Sequence, residues 1–257
     1  MLPAKRRARI IETLRRDRIA SLAELADMLG ASLSTTRRDI DFLAEAGHVV
    51  RTHGGAMLDD NADRRTEPGA EISSEIERDA KARIGERAAE LIRPGQTVIF
   101  DSGTTTAACA RAVSARQVAF TAVTNDISIA ASFAEAPHIE CHLTGGRLRT
   151  GSSTLLGAAC TRDLSRLRAD LAFIGTHAVD GDGLSDTSIP LAEVKRALVA
   201  AAETVVLVAD SSKFLNRAFC LFAGLGEIDR VITDTRISPE ARQCLDDAGV
   251  LVELAEV

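Results

Sequence analysis

The chain has 257 residues, 46% hydrophobic and 26% charged, which is ordinary for a globular protein and enough for two domains. It shows neither a run of about 18 apolar residues nor a basic stretch leading into an apolar one, so a membrane span and a secretory leader are not expected and a cytoplasmic protein is. The net charge of −6 is uneven: residues 1–56 carry ten Lys or Arg against seven Asp or Glu, and the acidic remainder leaves only this head suited to a polyanion.

Residues 4–16 set Ile10, Ile11 and Leu14 at helical spacing among six Lys and Arg side chains, which predicts a basic amphipathic helix. Ser21-Leu22-Ala23-Glu24 is a capping box, and the segment runs through Leu25 and Leu29 to a stop at Gly30. Ser32 then caps a third helix that extends through Ala46 and closes on Gly47. Two short helices joined by a glycine turn, the second bearing Thr35, Thr36, Arg37 and Arg38 near its start, have the form of a helix-turn-helix.

On the third helix Leu33, Thr36, Ile40 and Leu43 share one face and are expected to pack, leaving Ser34, Thr35, Arg37, Arg38 and Asp41 on the others. Early polar positions of a recognition helix reach base edges, and the guanidinium fork of Arg matches O6 and N7 of guanine. The plain alternative is a solvated charged face. Residues 48–57 carry strand-like side chains and a glycine pair, which predicts a β-hairpin wing with Arg51 and His53 near the phosphate backbone.

Residues 6–57 resemble the DeoR family of bacterial transcriptional regulators. The resemblance rests on Ser32-Leu33-Ser34-Thr35-Thr36-Arg37-Arg38-Asp39-Ile40, then Leu43, Gly47 and Arg51-Thr52-His53-Gly54-Gly55-Ala56. It implies a winged helix-turn-helix over 1–57 that meets double-stranded operator DNA through Ser34, Thr35, Thr36, Arg37, Arg38, Arg51 and His53. Thr36 departs from the aliphatic residue usual there and brings a hydroxyl to the packed face.

Residues 58–73 are polar and broken by Pro68-Gly69, which predicts a linker. A second capping box, Ser74-Glu75-Ile76-Glu77, is expected to open a long helix to Leu91-Ile92 and with it a body over 74–257. Strands and helices then alternate. Apolar strand candidates fall at 97–101, 118–124, 139–144, 170–175, 204–209, 229–233 and 250–254, and helices at 104–113, 126–134, 156–166, 190–202 and 238–248. The pattern predicts an α/β unit: a mainly parallel sheet covered on both faces, with ligands at the carboxyl ends of its strands.

Those strand ends are polar. Asp101, Ser102, Gly103, Thr104, Thr105 and Thr106 follow the first strand, Thr124, Asn125 and Asp126 the second, Thr144, Gly145, Gly146 and Arg147 the third. Gly175-Thr176-His177 follows the fourth and Asp210-Ser211-Ser212-Lys213 the fifth. A small, hydroxyl-rich turn running into a helix presents free N–H groups and a positive dipole end, suited to phosphate or carboxylate, although Ser and Thr are also plain helix caps. Of the 31 basic residues only Lys5, Lys81, Lys195 and Lys213 are lysines, so Lys195 and Lys213 are candidates for places that need a point charge.

The body also resembles the DeoR-type sensor domain, whose fold is that of ribose-5-phosphate isomerase. The carrying residues include Asp101 to Thr106, Val123-Thr124-Asn125, Thr144-Gly145-Gly146, Gly183-Leu184-Ser185, Glu193-Val194-Lys195-Arg196 and Ala209-Asp210-Ser211-Ser212-Lys213-Phe214. The resemblance implies a phosphorylated sugar effector held by Asp101, Ser102, Gly103, Thr104, Thr105, Thr106, Thr124, Asn125, Gly145, Gly146, Lys195 and Lys213, and a homodimer or homotetramer on operator DNA.

The rival is an isomerase with Glu193 as base and Lys213 holding an oxyanion. Isomerases carry acidic residues after the glycine matching Gly175, and this chain has Thr176-His177-Ala178 there, so a regulator, a repressor released by its ligand, is expected and not an enzyme. His138, Cys141 and His142 lie close together, but a strand alternates their directions and zinc needs four well-placed ligands, and no GxGxxG is present, so no metal or cofactor is expected. The five cysteines are scattered and read as reduced thiols.

Overall fold

The computed structural model describes residues 1–59 and 66–256. They form two compact units, Met1–Arg78 and Asp79–Val257.

The first unit contains helix α1 (Pro3–Asp17), strand β1 (Ile19–Ser21), helices α2 (Leu22–Leu29) and α3 (Leu33–Glu45), strands β2 (Val49–Arg51) and β3 (Gly55–Leu58), and helix α4 (Ala70–Glu75). Ile10, Ile11 and Leu14 of α1 are buried in one core with Leu25, Leu29, Ile40 and Leu43. The capping box is formed: Ser21 Oγ accepts the Glu24 N–H and the Glu24 carboxylate accepts the Ser21 N–H. Ser32 Oγ accepts the Thr35 N–H and starts α3. The wing pairs β2 with β3, and β1 adds to the other edge of β3, with Ile19 opposite Met57 and Ser21 opposite Gly55.

Two expectations change here. Leu33 is 54% exposed, because it is the first residue of α3 and lies ahead of the turns that pack, so the buried stripe starts at Thr36. The helix expected from Ser74 instead begins at Ala70; Ser74 Oγ donates back to Glu71 O, and the chain turns at Glu77 with φ of 50° before the next helix. Ile72 and Ile76, an i, i+4 apolar pair, are buried in the same core as Ile10 and Ile11, which draws this stretch into the first unit. Residues 60–65 of the expected linker lie outside the described residues.

The second unit continues with α5 (Arg78–Ala89), β4 (Thr97–Phe100), α6 (Thr104–Ser114), β5 (Phe120–Thr124), α7 (Ile127–Ala134), β6 (Ile139–Leu143), β7 (Arg147–Leu148), β8 (Leu155–Leu156) and α8 (Ala158–Leu164). After these come β9 (Ala169–Ile174), β10 (Ala178–Asp180), β11 (Gly183–Asp186), α9 (Ile189–Ala200), β12 (Ala202–Val208), β13 (Cys220–Ala223), β14 (Arg230–Asp234), α10 (Pro239–Asp247) and β15 (Leu251–Ala255). Seven strands form a parallel sheet in the order β15-β14-β12-β9-β4-β5-β6. β10, β11 and β13 make a small antiparallel sheet.

Successive residues of β4 serve opposite faces of the large sheet. Val98 and Phe100 pack with Cys109 and Val113 of α6 and Phe133 of α7, while Ile99 packs with Cys160 of α8 and with Leu191 and Leu198 of α9. Phe100 is central to the first face, its ring 5.2 Å from Phe133 and 5.5 Å from Phe173. From β4 the chain moves outward to β5 and β6, and from β9 it moves the other way to β12, β14 and β15. The order therefore reverses between β4 and β9, the place where open α/β sheets bind ligands at the carboxyl ends of their strands.

Candidate functional site

In the first unit, Ser34, Arg37 and Arg38 are exposed on α3 and Thr35 is half-buried. Arg51 of the wing is exposed and its Nη1 lies 2.6 Å from Asp41 Oδ1 on α3, so an ion pair ties wing to helix; His53 is also exposed. Thr36 is different. It is fully buried and its Oγ1 has no hydrogen-bond partner among the described residues, so it packs inside the head and is removed from the DNA-facing set. Asp39, a motif residue with no role expected from the sequence, is buried on α3 and accepts hydrogen bonds from Arg6 and Arg7 of α1.

In the second unit, Asp101 leaves β4 at the reversal point. Its N–H donates to Phe173 O, its Oδ1 accepts the Ser102 N–H at 2.7 Å, and its Oδ2 accepts the Gly175 N–H at 3.1 Å. Lys195 Nζ donates to the same Oδ2 at 2.5 Å and to Gly175 O at 2.8 Å, with Asp186 Oδ2 at 3.4 Å. Burial pushes the Asp101 carboxyl up from its ordinary value, and the Lys195 ammonium opposes that shift. Both side chains are spent inside the protein: the pair clamps the end of β4 to that of β9.

Past this clamp the turn faces outward. Gly103, with φ of 139°, precedes α6 and supplies no capping side chain, so the first N–H groups of the helix have no side-chain acceptor. Thr104 is half-buried and Thr105 buried at 8% exposure, and the hydroxyls of both make no hydrogen bond to other described residues, whereas Thr106 is fully buried and donates to Gly103 O. A dipole end, open N–H groups and two hydroxyls are an arrangement suited to an anion, with the turn's only carboxylate turned inward.

The other expected contacts divide. Thr124 Oγ1 donates to Phe100 O and accepts the Asp126 N–H, so it shapes the turn after β5. Asn125 is buried, its Nδ2 donating to Leu155 O at 3.3 Å while its Oδ1 has no partner among the described residues. The Gly145 N–H donates to Asp163 Oδ2, and a Cβ at Gly146 would lie 2.8 Å from Leu156 O, so this pair serves the β7–β8 hairpin. Lys213 is half-buried in the turn Ser211–Lys213 after β12 and makes no ion pair with the described residues. Glu193, the candidate base, is exposed on α9 while Lys195 is buried, so the two occupy different sides of the helix and Glu193 does not join the clamp.

Asp186 is the member of the cluster that sequence reasoning missed. A signal was present: Asp186-Thr187 repeats Asp101-Ser102, and in both the Asp Oδ1 accepts the next residue's N–H at 2.7 Å. Among the described residues no group of three or more His, Cys, Asp or Glu is placed to hold a metal ion, and no helix is long and apolar enough to cross a membrane.

Comparison with known proteins covers both units. The family model for a DeoR-like helix-turn-helix domain matches residues 6–62, and that for the DeoR C terminal sensor domain matches residues 76–235. The chain is 38% identical over 253 residues to the HTH-type transcriptional regulator GlpR of Haloferax volcanii, with 98% of each chain covered. It is 31% identical over 256 residues to the HTH-type transcriptional repressor GlcR of Bacillus subtilis, covering 100% of this chain and 98% of that one. Identity to the glycerol-3-phosphate regulon repressor of Escherichia coli is 30% over 261 residues, with 99% and 100% covered. Among solved structures, ribose 5-phosphate isomerase A of Methanocaldococcus jannaschii overlays 54% of this chain and 55% of its own at a TM-score of 0.41 and 15% identity, a partial likeness.

Proposed function

The chain belongs to the DeoR family of transcriptional regulators, and from that premise we propose that it is a repressor of a carbohydrate-metabolism operon, released from operator DNA by a phosphorylated sugar or related metabolite. The observation that carries this reading is the uncapped amino terminus of α6 at the sheet reversal, in a chain whose head exposes Arg37 and Arg38 on α3. Relatives named as the glycerol-3-phosphate regulon repressor and the repressor GlcR support the sense of regulation and the phosphorylated ligand.

In this reading Met1–Arg78 binds DNA and Asp79–Val257 senses the effector and oligomerises. Ser34, Thr35, Arg37 and Arg38 read bases, and Arg51 and His53 hold phosphates. The N–H groups opening α6, with Ser102, Thr104, Thr105, Asn125 and Lys213, grip the effector. Asp101, Thr106, Thr124 and Lys195 hold that surface in shape, and Gly145 and Gly146 shape its neighbouring hairpin. The protein works in the cytoplasm as a homodimer or homotetramer, since a two-fold operator needs paired heads. It binds the sugar phosphate without turning it over, because the exposed Glu193 stands apart from the buried lysine. Ligand binding favours the arrangement of subunits that cannot hold DNA and so shifts the population off the operator.

The test is a gel shift on the DNA upstream of the protein's own gene, with and without a panel of sugar phosphates. A salt-sensitive, sequence-dependent complex that one of them dissolves is the expected result, and its absence defeats the reading. Thr104→Asp, which sets a carboxylate at the start of α6, should leave the complex intact and abolish its release.

A further inference from the structure

Asp39 is 2% exposed on α3, and its two carboxylate oxygens are divided between two arginines of α1. Oδ2 accepts from Arg6 Nε at 2.7 Å and Oδ1 from Arg7 Nε at 3.0 Å. Arg7 is fixed a second way, its guanidinium lying 3.6 Å from the centroid of the Phe42 ring, and Arg6 Nη1 donates to Met1 O at 2.7 Å. The two arginine side chains retain 15% and 23% of their exposure.

We propose that Asp39 is a positioning residue for DNA binding, presetting Arg6 and Arg7 as a clamp on a backbone phosphate beside the recognition helix. The inference rests on the reading of the head as a DNA-binding unit.

A guanidinium carries five N–H donors and no acceptor. Arg6 Nη2 and both terminal nitrogens of Arg7 make no hydrogen bond to the described residues, so packed-down donors remain without an acceptor. The cluster's net charge is positive, since one carboxylate faces two guanidiniums, and its carboxylate comes from α3, the helix that also exposes Arg37 and Arg38, while both arginines come from α1. A phosphate supplies the missing acceptor oxygens, and the arginine fork matches it in two-point geometry. Because Asp39 and Phe42 already restrict both side chains, little side-chain entropy remains to be lost on contact. The competing account is a staple that only fastens α1 to α3. It would cost stability when cut and leave phosphate contacts untouched.

Salt dependence separates the two accounts, since each phosphate contact adds about 0.9 to the slope of log Kobs against log salt. The measurement is a titration of the full chain against a fluorescent mixed-sequence 30-base-pair duplex at several salt concentrations, with thermal melts of each variant. Asp39→Asn and Arg7→Gln should each lower the slope by about one contact, which makes affinity fall about threefold less across a fourfold rise in salt. Their double variant should fall short of the sum. A lowered melting temperature with an unchanged slope overturns the clamp and leaves the staple. If Asp39→Asn fails to fold, Arg7→Gln decides alone by its slope. Absence of salt-dependent binding by the unmodified protein defeats the DNA-binding reading itself, whereas binding with unaltered variant slopes defeats only the clamp.

Discussion

Lys195 Nζ and Asp101 Oδ2 lie 2.5 Å apart, joining α9 to the end of β4 across a sequence separation of 94 residues. Gly175 completes the contact from β9, giving its N–H to Asp101 and its carbonyl to Lys195. The sheet reversal is therefore locked by charge as well as by the backbone ladder.

Breaking that lock from one side should be expensive. Lys195→Met leaves Asp101 and Asp186 buried beside each other without their cation, and the expected loss is about 3–5 kcal/mol in urea denaturation of the full chain. Adding Asp101→Asn should recover part of it, so that the double variant is more stable than the sum of singles predicts. Additive losses would show that the two groups do not act as a pair.

Arg38 and Arg51 should fail in different ways. Arg38→Ala should cost about 1–3 kcal/mol on the preferred operator and relax discrimination at one base position. Arg51→Ala should weaken binding to all sequences alike and lower the salt slope by about 1. Competition titrations with single-base variants of the operator duplex distinguish the two, and equal loss on every duplex for Arg38→Ala would remove it from the base-reading set.

Asp234 gives the second unit an acid-sensitive point. Burial alone would raise its carboxyl, but hydrogen bonds from Arg236 and the Ser211 N–H hold it below the ordinary value. A group depressed in the folded state contributes stability above the ordinary carboxylate range and loses that contribution as pH falls through its folded value. Asp234→Asn should thus destabilise the protein by about 1–3 kcal/mol at neutral pH. Urea melts should show the gap between variant and parent closing below about pH 4. A gap independent of pH would mean that shape rather than charge makes the difference.

The large sheet was legible because its strands are buried on both faces and read as short apolar runs between turns. The site was legible only in outline. Polar residues at strand ends mark Asp101 and Thr124 as unusual, but sequence does not reveal which way a side chain turns, and both turn inward. Thr36 shows the same limit in the head, where helical spacing placed it on the packed face while its motif placed it at the DNA. Ile72 and Ile76 were hidden by polar neighbours, since two apolar residues one turn apart are too few to announce a buried helix. Asp186 emerged only when β11 brought it beside an ammonium on α9.

The wing is the middle and edge of a three-stranded sheet, with β3 held on one side by β2 and on the other by the three residues that follow α1. A two-stranded ribbon alone is marginal in water, whereas a third strand gives it a fixed plane. A head with its wing fixed in this way should meet DNA as a finished shape, with encounter governed by diffusion and orientation rather than by folding of the wing.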